Sequence, residues 1–183
     1  MSAPPTLFTI GHSTLAAEAF LARLRRHGVE QVADVRTLPK SRHNPQFGQA
    51  ELAAALAAAG LGYLHLPRLG GLRRPRADSV NLGWRNLSFR GFADYMATPE
   101  FAAGLAELEA WAGHRPTALM CAEAVPWRCH RSLIADALGL RGWRVLDILG
   151  DRPARPHRPI PFLRVVEGRP VYPAPDFPLP IQS

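Results

Sequence analysis

Apolar positions along the 183-residue chain follow two alternating rhythms. Short continuous apolar runs, the pattern of strands buried on both faces, are separated by stretches with apolar residues three to four apart, the pattern of amphipathic helices. Leu7–Gly11 is the first run, and the helix after it carries Leu15, Phe20, Leu21 and Leu24, with Ser13 or Thr14 as cap and His27-Gly28 as its end. Gln31–Val35 is a second buried strand. A polar loop with Pro39 and Pro45 leads into an alanine-rich helix from about Gln49 to Ala59, stopped by Gly60. Gly62–Leu66 is a third strand. From Pro67 to Arg90 periodicity is lost, and helix returns around Phe92–Met96. Thr98 then caps a helix with Pro99 in its first turn, running to about Trp111. Thr117–Ala122, Arg131–Leu138 and Trp143–Leu149 complete the alternation as strand, helix and strand.

This order predicts an α/β fold: a mostly parallel open sheet of about five strands with helices on both faces. The expected α/β domain spans residues 1–150. The last 34 residues hold nine of the 18 prolines, so residues 151–183 read as a Pro-rich strap packed on that domain. Within it, Phe162–Val166 and Pro170–Tyr172, joined at Glu167-Gly168, predict a small hairpin.

Composition narrows the class. No apolar run approaches the roughly 20 residues a bilayer span needs, and MSAPPTLFTIGHS lacks the basic start of a signal peptide. With only two cysteines, a disulfide framework is not expected, so the expectation is a cytoplasmic protein without a membrane partner. Net charge is +7, which admits a polyanionic partner. Lys40 is the only lysine among 22 basic residues, and an arginine skew with abundant Ala, Gly and Pro also follows from GC-rich codon usage.

Right-handed crossovers would bring all the parallel strands' carboxyl ends to one edge, where open sheets bind ligands. That edge collects Gly11, His12 and Ser13; Asp34, Arg36, Ser41, Arg42 and His43; Tyr63, His65, Arg68, Gly70 and Gly71; and Cys121 and Glu123. The next loop adds Arg128, Cys129, His130 and Arg131 at a helix start. A helix N-terminus presents free N–H groups and favours a thiolate, so Cys129 is the candidate for chemistry, with Glu123, His12 and His130 as proton carriers. Cys121, inside an apolar strand, reads as packing. Arg36 and Arg42 can grip phosphate or carboxylate, although Asp34 with an arginine also reads as a structural pair. Ser13, Asp34, Ser41, Tyr63, Gly70, Gly71 and Arg131 complete the expected binding set. Cys121, Cys129 and His130 are also candidate metal ligands, with His12 or His43 as a fourth. The seven residues between the cysteines, however, do not match the short spacings of zinc sites, and neither metal nor cofactor is expected. A strand–loop–helix carrying cysteine and then arginine is similar in architecture to phosphatase and rhodanese loops. Here six residues without glycine separate Cys121 from Arg128.

Thr9-Ile10-Gly11-His12-Ser13, Asp34-Val35-Arg36 with Pro39, Ser41-Arg42, Pro45 and Phe47, Leu69-Gly70-Gly71, and Leu119-Met120-Cys121-Ala122-Glu123 with Cys129-His130-Arg131 together resemble the bacterial family catalogued as domain of unknown function 488. The resemblance covers roughly residues 6–150. It implies a prokaryotic cytosolic protein with a compact α/β fold and brings no activity with it.

Three functions fit these residues. The first is an enzyme acting on an anionic, phosphate- or nucleotide-like small molecule, as a Cys/Glu-dependent hydrolase or transferase. The second is a nucleic-acid-binding or processing module that clamps a backbone with Arg73, Arg74 and Arg76 and stacks bases on Trp84 and Phe89. The third is a non-catalytic ligand sensor.

Overall fold

The computed structural model describes residues 3–176. The strap's last residues, 177–183, lie outside the described residues. Strands β1 (Thr6–Gly11), β2 (Gln31–Asp34), β3 (Gly62–His65), β4 (Thr117–Cys121) and β5 (Arg144–Ile148) form a parallel sheet in the order β3-β2-β4-β1-β5. β4 sits in the middle with all five residues buried, which is why it reads as an unbroken apolar run.

Side chains alternate across this sheet. Ile10, Val32, Ala118 and Met120 face α1 (Ala17–Arg26) and α2 (Gln49–Ala58), contributed through Phe20, Leu24, Leu52 and Leu56. Leu7, Ala33, Leu119 and Cys121 face α3 (Leu87–Tyr95), α4 (Pro99–Ala112) and α5 (Arg131–Leu140). The chain leaves β1 and β2 toward one face and β4 toward the other, so β4's carboxyl end lies at a switch point with β1 and β2 on either side.

Four details differ from the sequence reading. α1 starts at Ala17 without a side-chain cap. Ser13 is held instead at φ 46°, with its N–H donating to the Ala122 carbonyl at 2.9 Å, so the turn is tied to β4. α3 begins at Leu87, earlier than expected, because Asn86 caps it by accepting from the Ser88 and Phe89 N–H groups, a contribution of about 1 kcal/mol. The aperiodic stretch before it is tethered: the Asp94 carboxylate accepts from Arg76 N–H, Ser79 Oγ and Asn81 Nδ2. Finally, β6 (Arg155–Pro156) adds a short antiparallel edge to β5, making six strands. Thr98 accepts from Phe101 N–H at 3.2 Å as expected, with Pro99 in the first turn.

The strap's hairpin forms as β7 (Arg164–Val166) and β8 (Arg169–Val171), with Glu167 and Gly168 both at positive φ. Such a turn matches the natural twist of two paired strands. Tyr172 is fully buried, and its hydroxyl donates to Asp136 in α5 at 2.8 Å. His157 bridges Asp136 at 2.8 Å and Asp147 at 3.5 Å. Among the described residues no helix is long and apolar enough to cross a membrane.

Candidate functional site

The β1–β4 pairing runs on past the strand ends, with His12 N–H donating to the Cys121 carbonyl at 3.1 Å. Gly11 lies beside Cys121 in this ladder, and a Cβ there would stand 2.6 Å from the Glu123 carbonyl carbon. Absence of a side chain at Gly11 therefore lets the β4 loop fold back over β1. A single 3-10 turn, Pro126–Arg128, then carries the chain into α5.

A cavity of about 410 Å³ opens at this edge, between the ends of β1, β2 and β4 and the segment after β3. His12, Arg36, Ser41, Gly71, Glu123 and His130 of the expected set line it, and so does Cys121, which the sequence pattern assigned to packing. Lys40, Arg128 and Phe89 line it too, together with Leu38 and Leu72, which are strongly exposed. Lys40 and Arg128 escaped the predicted binding set. Each sits on a loop just after a strand already marked, and neither has a carboxylate partner among the described residues. A larger hollow of about 700 Å³ under the strap has its ionisable centre already matched, with His157 held by Asp136 and Asp147.

Asp34 and Arg36 are the structural pair. Asp34 is fully buried and accepts from the Arg36 Nε at 2.9 Å and Nη2 at 2.6 Å, from its backbone N–H at 3.1 Å, and from the Tyr63 hydroxyl at 2.8 Å. Arg36 Nη1 donates to the Phe47 carbonyl at 2.8 Å and to His12 Nε2 at 3.3 Å. Arg36 thus spends most of its five donors on the protein. Burial and the neighbouring Asp34 push the Tyr63 phenol well above its ordinary range. Asp34 and Tyr63 stand behind the wall as supports, and Arg36 is an anchor more than a grip. His12 donates through Nδ1 to the Ser13 carbonyl at 2.9 Å and stacks on Phe47. Burial, reinforced by the Arg36 charge, lowers its pKa, which favours the neutral ring.

The two cysteines exchange the positions expected of them. Cys121 is on the cavity wall, whereas Cys129 is 2% exposed and lies behind it. Burial alone would push the Cys129 thiol up. The neighbouring Cys121 thiol and the Arg131 charge outweigh burial and bring it down to about 7. Cys121, sharing its proton with Cys129 and buried besides, is pushed up. Of the two, Cys129, just before α5, is therefore the thiol whose ionised form is favoured.

Arg131 is not on the cavity wall. It is fully buried and donates to the Glu123 carbonyl at 2.6 Å and the Ala124 carbonyl at 3.1 Å, holding the loop that presents Glu123. Gly70 packs against Thr37. Ser13, Arg42 and His43 also lie outside the lining. His130 donates from Nε2 to the Val35 carbonyl at 3.1 Å, and its Nδ1 lies 3.7 Å from Cys129 Sγ. Trp84, proposed to stack on bases, stacks on Phe89 and meets Phe162 edge-on, fastening the strap to α3.

Fold and edge together define a doubly wound α/β protein whose candidate site occupies the switch point of a parallel sheet. The chain belongs to the family described as Domain of unknown function DUF488, whose model matches residues 16–138. No curated protein matches the chain, and no solved structure does.

Proposed function

We propose that the chain is an enzyme acting on a small phosphate- or nucleotide-like anion held in this cavity. The observation that carries the reading is the placing of two cations without a carboxylate partner among the described residues, Lys40 and Arg128, with Cys121, His130 and Glu123 around one cavity of about 410 Å³. That volume is in the range of small-molecule sites. Lys40 and Arg128 bind the anion with help from Ser41, while exposed Leu38 and Leu72, with Phe89, offer an apolar rim for a base or another flat group. Glu123 carries the proton, and the group formed by Cys121, Cys129 and His130 is the reacting centre, in a hydrolase or transferase reaction. Arg36 and His12 hold the wall in place.

The Arg-rich loop supports a small ligand better than a nucleic-acid backbone. Arg73 lies 3.7 Å over the Tyr95 ring and donates to the Gly70 carbonyl, and Arg76 is paired with Asp78. A clamp would need those cations free.

Titration calorimetry with inorganic phosphate and nucleoside monophosphates at low salt tests the reading. Binding to the wild-type chain is expected, at least tenfold weaker in Lys40→Ala and Arg128→Ala. Turnover of any phosphoester or nucleotide found in a substrate screen should be lost in Glu123→Gln. No anion binding, or binding indifferent to both cation variants, would overturn it.

A further inference from the structure

Cys121 Sγ, Cys129 Sγ and a ring nitrogen of His130 all lie within 4.8 Å of one another. Cys129 Sγ and His130 Nδ1 are 3.7 Å apart. Sulfur and nitrogen ligands of one tetrahedral zinc ion, with bonds of about 2.3 Å and 2.0–2.1 Å, stand roughly 3.6 Å apart. The Cys129–His130 separation is thus nearly the one a shared ion would impose, and Cys121 Sγ lies within reach of both.

The surroundings suit that use in two ways. His130 Nε2 donates to the Val35 carbonyl, so the proton is on Nε2 and the Nδ1 lone pair faces the sulfurs. A backbone carbonyl fixing the far nitrogen is the usual support of a metal-binding imidazole. Gly71 has no side chain where a Cβ would fall 2.5 Å from His130 Nδ1, which leaves the approach to that lone pair clear.

We propose that Cys121, Cys129 and His130 bind a thiophilic divalent ion, zinc being the expected occupant, with its fourth position open to the cavity. Cys121 and His130 are both on the cavity wall, as is Glu123, so a water or an oxygen of the anion can complete the shell. Two thiolates cancel the charge of the ion. The buried Arg131 guanidinium, which has no carboxylate partner among the described residues, then leaves the centre attractive to an anion. Three protein ligands and one open position make a catalytic arrangement, not a closed structural one. The site deepens the reading of the cavity as a reaction site: it gives the reacting centre a Lewis acid.

Cobalt(II) titration of the reduced, chelator-treated full chain tests the site. One equivalent is expected to bind, with a near-ultraviolet thiolate-to-cobalt band and the intense visible bands of a four-coordinate ion, all displaced by zinc. Cys121→Ser, at the cavity wall, should lose the thiolate intensity in part and bind at least tenfold more weakly. Gly71→Ala, which crowds Nδ1 without removing a ligand, should also weaken binding. Folding of each variant is checked by circular dichroism. A folded wild-type chain without the thiolate band would overturn the site, as would unchanged cobalt affinity in both variants. Lys40→Ala and Arg128→Ala should keep the cobalt spectrum while losing phosphate, so failure of anion binding and failure of the metal site give different results.

Discussion

Gly11 and Glu123 touch at the end of the sheet: a Cβ on Gly11 would overlap the Glu123 carbonyl oxygen, the same oxygen that accepts from Arg131. This contact joins the β1 end, the β4 loop and the first turn of α5. Its stability and the cavity's shape are therefore one property.

Gly11→Ala should destabilise the fold by about 1–3 kcal/mol, the usual cost of overpacking, because backbone and not a flexible side chain must move. Urea unfolding gives the stability, and phosphate titration of the folded variant should show weaker binding. An unchanged midpoint would mean that the loop is not locked against β1.

Removing one partner of the buried Asp34–Arg36 pair leaves the other unmatched. Arg36→Met should cost about 3–5 kcal/mol, and adding Asp34→Asn should recover part of that loss. A double-mutant cycle by urea unfolding measures the coupling. Strictly additive losses would argue against the pair as the anchor of the β2 end.

The strap carries a pH dependence. Burial opposes protonation of His157, yet Asp136 and Asp147 outweigh it and raise its pKa from 6.5 to about 9. The charged ring's contribution is therefore complete below pH 6.5 and fades as pH rises through about 9. The shift corresponds to about 3 kcal/mol at most. Wild-type unfolding free energy should fall between pH 6.5 and 9.5, and His157→Gln should flatten that interval. Equal slopes in the two chains would remove His157 as the cause.

Tyr172→Phe leaves Asp136 without its hydroxyl donor and should cost about 1–3 kcal/mol. Limited proteolysis should then cut within the strap sooner than in the wild-type chain, while cleavage of the sheet elements keeps its rate. Equal strap lifetimes would show that the apolar packing of Tyr172 suffices.

Local signals were legible wherever local physics decided the outcome. Thr98-Pro99 starts α4 because capping and proline's fixed φ act within one turn. Glu167-Gly168 makes the hairpin because the two positive φ values are a property of the turn. β6 escaped notice because two residues, one of them proline, have no strand pattern of their own and pair only where β5 offers an edge. The Ser13 cap failed for a similar reason, since its N–H is taken by Ala122, just past the end of distant β4.

Alternation of buried runs and amphipathic stretches by itself determined the α/β class, the parallel sheet and the edge where ionisable groups gather. Periodicity and chain handedness are enough for that. Which cysteine faces the cavity was a tertiary decision. Strand parity turns Cys121 toward the start of α5, and the returning loop, clamped by Arg131, tucks Cys129 behind it. The same fold-back brings two cysteines seven residues apart next to a histidine, a proximity that their spacing argues against. Spacing measures distance along the chain, whereas ligand geometry depends on where the chain comes back.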